Sequence, residues 1–310
     1  MSIIFSPGLE VLLLAFIMDI SFGEPPGMVH PVVWMGWFIT FLQDLPLKDR
    51  RIQGILIVVV TTGISLLVGM LVVLLASSVH ETAALLIMAY FLKSTFSVRM
   101  LLNTSRHIMN MLRSGNRYEA QEALKALVSR DTTNLDERQM ASAVVESISE
   151  NFVDGVLSPV LFYLILGLPG ALAYKAVNTL DSMIGYRNKE FIELGRSSAR
   201  LDDILNWIPA RLSLVLIGAA ALITGSFTGA VKICLRDNNL TPSPNSGWPM
   251  AAAAGALGVR LEKPGYYVLG EEFRSPEVVD IERAARLVGT AVILLFAWIM
   301  GVLYLLHMNN

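Results

Sequence analysis

The residues able to do chemistry are concentrated between Glu146 and Arg211. This stretch reads ESISENFVDG, then a short apolar run, then KAVNTLDSMIGYRNKEFIELGRSSARLDDILNWIPAR. If the helix around Glu146 continues unbroken, Glu146, Glu150 and Asp154 lie at i, i+4 and i+8 on one face, with the amide of Asn151 beside them. Carboxylates stacked in this way repel one another unless cations compensate. Mg²⁺ suits them, because it takes a few carboxylates together with waters and phosphate oxygens. A solvated helix face is the plain alternative. It fits Glu146 but not Asp154, because an apolar run follows Asp154 and ionisable groups at membrane depth face a cavity or a partner.

Two further groups follow. Lys175, Asn178, Asp181 and Ser182 fall close to one helical face. A turn at Gly185–Asn188 then presents the Tyr186 phenol and the Arg187 guanidinium, the latter suited to forked recognition of carboxylate or phosphate. Packing by small polar residues is the structural alternative for this group. Asp202, Asp203 and Asn206 come next, ahead of Pro209 and Arg211. They match the needs of a divalent ion as well as they match dipole complementarity at a helix end. The loop Thr241–Pro249 carries Ser243, Asn245 and Ser246 between prolines; such loops aim N–H groups at anions or serve simply as turns. His30 and His107 are candidate bases or ligands.

These residues must be held by a membrane-like framework. The chain has 310 residues, 54% hydrophobic and 16% charged, with mean hydropathy +0.57, against roughly 25% charged in an ordinary soluble domain. Its 24 basic and 26 acidic residues lack the basic footprint of a nucleic-acid binder. The single Cys234 excludes an intrachain disulfide framework and a multi-cysteine metal site. No cleavable signal peptide is evident. No G-x-x-x-x-G-K-[ST] or G-x-G-x-x-G fingerprint is present.

The expected fold is all-α and polytopic, one membrane-embedded domain over 1–310. Leu9–Ile20 and Val32–Leu42 are apolar but short, joined by the turn-rich Ser21–Pro31. They read either as a hairpin with Asp19, Glu24 and His30 near its tip or as two tilted, shallow helices. Gly54–Ala76 and Ala83–Val98 form a pair of spans, the second interrupted only by Lys93. Lys48, Arg50, Arg51 and Arg99 place their outer ends in the cytoplasm by the positive-inside tendency. Asn103–Arg138 reads as two or three water-exposed amphipathic helices, one capped by Asn116 with Glu119, and a new helix starts near Asn134. Phe152–Tyr174, broken by Asp154, Pro159 and Pro169-Gly170, fits a re-entrant hairpin better than a straight span. Leu212–Val231 is another apolar run, Arg236–Arg286 a polar, loop-rich segment, and Leu287–Leu306 a terminal span.

Several longer motifs carry a resemblance. Asp19 with GEPP, HPVVWMG, ESISENFVDGVLSPV, YKAVNTLDSMIGY, RLDDILNWIPARL and SPNSGWPMAAAAGALGV stand in order across nearly the whole chain. Together they resemble the CobD/CbiB family of cobalamin biosynthesis. The resemblance implies a multi-pass enzyme of the cell membrane, an adenosylcobinamide-phosphate synthase. Such an enzyme joins adenosylcobyric acid to (R)-1-amino-2-propanol or its O-phosphate, using ATP, and its partners are the corrinoid, the amine, the bilayer and other late-pathway membrane enzymes. On this chemistry Glu146, Glu150, Asp154, Asp181, Asp202 and Asp203 are metal candidates, and Lys175, Arg187 and Arg211 are phosphate contacts. A carboxylate or His30 serves as base, and the Thr241–Trp248 loop meets corrinoid or nucleotide. The active side is expected to face the cytoplasm. The competing readings are a Mg²⁺-dependent prenyl or phospho-alcohol transferase, although the D-x-x-x-D spacing is missing, and an ion-coupled transporter.

Overall fold

The computed structural model describes residues 8–128, 131–185 and 191–308, the last stretch with side chains to 302. Its helices, in chain order, are α1 (Leu9–Phe22), α2 (Pro31–Gln43), α3 (Arg50–Ala76), α4 (Glu81–Lys93), α5 (Val98–Arg113), α6 (Arg117–Leu124) and α7 (Glu137–Phe152). After a π turn at Val153–Leu157 come α8 (Ser158–Ile184), α9 (Arg196–Leu205), α10 (Trp207–Thr224), α11 (Phe227–Asp237), α12 (Gly247–Leu257) and α13 (Val278–Met308). Among the described residues, paired strands are confined to a short antiparallel hairpin, β1 (Leu261–Lys263) and β2 (Tyr267–Leu269). The all-α membrane class is thus what the chain adopts. Among the described residues, four helical stretches are long and apolar enough to cross a membrane: Arg50–Ala76, Glu137–Ile184, Trp207–Thr224 and Val278–Val302.

The chain divides into two compact units, each discontinuous in sequence. One comprises Met1–Ser97 with Asp154–Asn206, the other Val98–Val153 with Trp207–Asn310.

In the first unit α8 is not a straight rod. Gly167 sits at φ 63°, ψ −161°, a region that essentially only glycine enters, and the chain folds back there. Two contacts establish the reversal. The Phe162 and Tyr174 rings stack with centroids 5.0 Å apart and planes inclined by 13°, whereas a straight helix would separate them by about 18 Å. A side chain on Gly170 would meet the Phe162 carbonyl oxygen at 2.7 Å. The straight span is therefore excluded and a helical hairpin stands in its place. Its second arm runs along α3. Near the tip Pro169 lies so close to Gly69 that a Cβ there would come within 2.5 Å of it, and at the other end Leu180 and Ile184 pack on Ile57 and Val58.

The helices α1 and α2 do not form a hairpin of their own. The N–H of Gly8, ahead of α1, donates to Tyr163 Oη at 2.9 Å, near the tip of α8, and Asp19 near its end reaches Lys93. Ile39 of α2 joins the cluster of Leu180, Ile184 and Leu194, and Gln53 Nε2 donates to the carbonyls of Leu42, Gln43 and Leu45 at 3.0–3.1 Å. The two helices are separate elements, and residues 23–30 are the break between them. Gly23 and the Pro25-Pro26 pair enforce it, since proline withholds the N–H that a continuing helix would use.

In the second unit α7 opens with a capping box. Asp136 accepts from the Gln139 N–H at 2.8 Å and the Gln139 side chain accepts from the Asp136 N–H at 2.9 Å, satisfying end donors that a helix start leaves orphaned. Asn116 caps α6 through the Glu119 N–H, as its spacing implies. Three expectations need correction. The stretch Leu212–Val231 is two helices, broken at Gly225–Ser226. Within the supposedly loop-rich Arg236–Arg286, the Ala251–Gly258 stretch belongs to the buried helix α12, because its small side chains let backbones touch. A Cβ on Gly255 would lie 2.1 Å from the Gly229 carbonyl oxygen of α11. The terminal helix begins at Val278 rather than Leu287.

Candidate functional site

The first unit gathers a polar cluster at the mouth of the α8 hairpin. Asn206, 1% exposed, is its hub. Its side-chain oxygen accepts from Ser158 Oγ at 2.6 Å and from Tyr174 Oη at 2.9 Å, while its amide donates to Asp202 Oδ2 at 2.9 Å. Lys175 Nζ donates to Asn178 Oδ1 at 3.3 Å. The Lys175 ammonium also lies in the attractive field of Asp154, Glu24 and Asp202. Burial first, then the charge of Asp181, push the Asp202 carboxyl up from the usual 3.8 to about 7, with a smaller contribution from Asp203. Hydrogen bonds from Asn206 and Asn178 pull the other way. Asp154, Lys175, Asn178, Asp181, Asp202, Asp203 and Asn206, all singled out from sequence, thus belong to one electrostatically coupled neighbourhood.

A second layer abuts it. Lys93, 2% exposed, pairs with Glu24 Oε2 at 2.7 Å and with Asp19 Oδ1 at 3.5 Å. The same Glu24 oxygen meets His30 Nε2 at 2.8 Å. Because the Val32 N–H donates to His30 Nδ1 at 3.1 Å, the ring proton is on Nε2 and is given to Glu24. His30 is therefore the cap of α2 and an orienter of Glu24, with no lone pair left for the role of base. Burial alone would raise Glu24, but hydrogen bonds from His30, Lys93 and Ser97 and the Lys93 charge outweigh it and hold its pKa at about 2. Sequence reasoning assigned no role to Glu24, Lys93 or Tyr174. The signal was there in Lys93, the lone charge inside an apolar run, since such a charge marks a partner nearby.

The remaining candidates lie in the second unit, or outside the described residues in the case of Tyr186 and Arg187. Regular α-helix ends at Phe152, and Asp154 stands on the π turn Val153–Leu157 that follows. Glu146 is structural: its two oxygens accept from Ser142 Oγ at 2.8 Å and Tyr267 Oη at 2.7 Å, tying the β-hairpin to α7. The Asn151 amide bonds back to Ser147, and Glu150 is half-buried on the last turn of α7. Arg211 lies 4.1 Å from the Trp207 ring and 4.9 Å from the Trp248 ring, with Nη1 on the Trp207 carbonyl at 2.7 Å. It also reaches Asn245 Oδ1 at 3.5 Å. Ser243, Asn245 and Ser246 bond within their own loop: Thr241 Oγ1 donates to the Ser243 carbonyl, the Asn245 N–H to Ser243 Oγ, and Ser246 Oγ to Thr241 Oγ1.

Among the described residues no three His, Cys, Asp or Glu side chains are grouped to hold one metal ion. The six-acid set is therefore not a single coordination sphere. Asp181 and Asp202 nonetheless fit Mg²⁺, which needs only one or two protein carboxylates when phosphate and water complete its shell. The mutual repulsion that raises Asp202 is what such an ion would relieve.

Residues 12–294 match the family model described as CobD/Cbib protein. A probable cobalamin biosynthesis protein CobD from Methanothrix thermoacetophila is 45% identical, covering 92% of this chain and 93% of its own. The cobalamin biosynthesis proteins CobD of Dehalococcoides mccartyi and Citrobacter koseri are each 39% identical, covering 86% and 94% of this chain and 88% and 97% of their own. No solved structure matches the chain. With a family model spanning nearly its whole length and relatives of this identity, the chain belongs to the CobD/CbiB family of cobalamin biosynthesis proteins.

Proposed function

We propose that the protein is an ATP-dependent amide-forming ligase. It joins the free carboxylate of adenosylcobyric acid to (R)-1-amino-2-propanol or its O-phosphate, giving adenosylcobinamide or its phosphate. One observation carries this reading: an array of buried Asn178, Asp202 and Asn206 with half-buried Asp154, Lys175 and Asp181 inside an otherwise apolar helical unit. Burying so many polar groups costs free energy unless they are paired, and this array keeps acids and a lysine within reach of one another.

Phosphoryl transfer from ATP turns the carboxylate into an acyl phosphate and releases ADP, and attack by the amine then expels phosphate as the amide forms. Asp181 and Asp202 would hold Mg²⁺, which would offset the negative charge of the phosphates. Lys175 contacts the phosphate as a point charge. Asn178 and Asn206 keep these groups in register. His30 is engaged at both nitrogens, so the proton leaving the amine passes to a carboxylate, Asp154, which lies in the field of Lys175. The site faces the cytoplasm, because Asp202 lies at the end of the unit where α3 begins with Arg50 and Arg51.

The test is turnover by purified protein given adenosylcobyric acid, the amine or its phosphate, ATP and Mg²⁺. ADP release that requires both corrinoid and amine supports the ligase. Broken helices around a buried ion cluster also occur in ion-coupled transporters, so solute flux without turnover, or prenyl transfer, would remove the reading.

A further inference from the structure

We propose that the outer face of α9, with the start of α3 beside it, binds the headgroups of anionic phospholipids, and that this contact holds Asp202 and Asn206 in the site. The binding surface stands apart from the ligase reading, and only its effect on turnover rests on that reading.

The pattern of α9 points to such a surface. Ser198 and Asp202, and Asn206 at the C-cap, recur every four residues and are buried, at 0%, 8% and 1% exposure. Arg196, Arg200 and Ile204 recur at the same interval, shifted by two residues, and are exposed. A shift of two residues is about 200° around a helix, so the two columns stand on opposite faces. Leu201 packs on the cluster of Ile57, Val58, Leu180 and Ile184. The helix therefore rests on its neighbours with the site on one side and two arginines on the other.

Further cations gather at this end. A Cβ on Gly54 would come 2.0 Å from the Leu194 carbonyl oxygen, so the chain entering α9 crosses α3 one turn from Arg50 and Arg51, and Lys48 precedes them. Lys48, Arg50, Arg51, Arg196 and Arg200 are all exposed, and among the described residues none of them has a carboxylate partner. Arg50 donates to Gln53 Oε1 at 3.0 Å. The exposed acids here are Asp44, Asp49 and Glu193, and Asp49 caps α3 at the Arg51 and Ile52 N–H groups. Asp203 is half-buried and belongs to the neighbourhood of Asp202. The surface is left positive.

The occupant is a lipid rather than a free anion, because apolar side chains share the surface. Leu45, Leu47, Ile192 and Ile204 are exposed among the cations, and Ile52, Ile55 and Leu56 are exposed on α3 directly after Arg51. Cations followed at once by exposed apolar side chains mark the headgroup level of a spanning helix, and a basic surface at the cytoplasmic end attracts anionic lipid. At that level α9 lies as an interfacial helix with its arginines among phosphates. Bound headgroups relieve the repulsion among the cations and restrain α9, and with it Asp202 and Asn206.

Native mass spectrometry of the full chain in detergent, titrated with phosphatidylglycerol or phosphatidylcholine, reads the binding without turnover. The wild type should take up phosphatidylglycerol in preference. One cation near a charged surface is worth about fivefold in affinity, so Arg196→Gln/Arg200→Gln should weaken phosphatidylglycerol binding about ten- to thirtyfold. Arg196→Lys/Arg200→Lys keeps the charge and should retain the preference, which separates a headgroup contact from a structural role. Both side chains are exposed, so neither variant disturbs packing. In vesicles of phosphatidylcholine, adding phosphatidylglycerol should raise the melting temperature and kcat of the wild type and leave those of the glutamine variant unchanged. Equal uptake of the two lipids by the wild type overturns the proposal, as does an undiminished preference in the glutamine variant. Displacement of phosphatidylglycerol by an equal concentration of inorganic phosphate would assign the surface to a free anion, and a dimer that the glutamine variant dissociates would assign it to a second copy; either overturns the proposal. Lipid preference that depends on the arginines, in a protein without ligase turnover, would reject the ligase and keep the surface. Turnover that ignores phosphatidylglycerol while the preference holds would reject the restraint on Asp202 and keep the surface.

Discussion

At the scale of single residues, burial decides what a polar side chain does. Asp202 and Glu24 are both acids near a lysine, yet their protonation behaviour diverges. Asp202 has a like charge, Asp181, beside it and rises to about 7, whereas Glu24 receives Lys93 and His30 directly and falls to about 2. For Asp202 the folded pKa lies above the unfolded one. Its contribution to stability is therefore full below about 4 and is lost as pH rises through about 7. In metal-free protein, Asp202→Asn should leave the melting temperature unchanged near pH 4 and raise it at pH 8, where the wild type carries the repulsive charge. The same variant should lose Mg²⁺-dependent turnover. Equal melting shifts at both pH values would show that Asp202 is not so perturbed. Glu146 belongs to a different category. Tyr267→Phe removes one of its two hydroxyl donors and should lower stability by about 1–3 kcal/mol, measured by thermal melting, with the KM for ATP unchanged.

At the scale of elements, glycine and proline mark where helices break, and the breaks make the site. Gly167 carries the reversal of α8 at positive φ. Gly167→Ala should cost about 1–3 kcal/mol, and chemical denaturation in detergent would measure it. Gly69→Leu should cost more, since a Cβ at 2.5 Å from Pro169 Cα forces the hairpin away from α3; a neutral result would mean the two do not pack as described. Much of this was legible in sequence. The Pro169-Gly170 pair pointed to a hairpin. Helical spacing grouped Lys175, Asn178 and Asp181, and Asp202 stood out in a separate group with Asp203 and Asn206. What spacing missed was the π turn before Ser158, because nothing in single-residue propensity distinguishes it from regular helix. It also missed α12, whose alanines and glycines are weakly hydrophobic one by one and are buried only because α11 can approach so closely.

At the scale of the whole molecule, charge placement sets orientation and composition sets environment. The loop after α3 and the helix α6 carry the topology test. In a chain with Cys234→Ala, a cysteine at Ser78 should react with an impermeant maleimide added outside the cell. One at Glu122 should react only after the inner face is opened. Both positions are exposed, so labelling in the opposite sense would invert the orientation and place the proposed site away from cytoplasmic ATP.

The sequence by itself determined that this is a helical membrane protein, which family it belongs to, and which polar residues stand out against their apolar surroundings. Hydropathy and local spacing are properties of neighbours along the chain, and they need no fold to be read. Only the tertiary structure decided that Glu146 fastens a β-hairpin, that His30 is committed to Glu24 and Val32, and that Lys93 and Glu24 join Asp154 and Lys175. The partners of Glu146 and Lys93 lie tens of residues away or more, those of His30 lie on the local break between α1 and α2, and all of them depend on the short-range competition between desolvation and pairing, which becomes defined once packing fixes the distances.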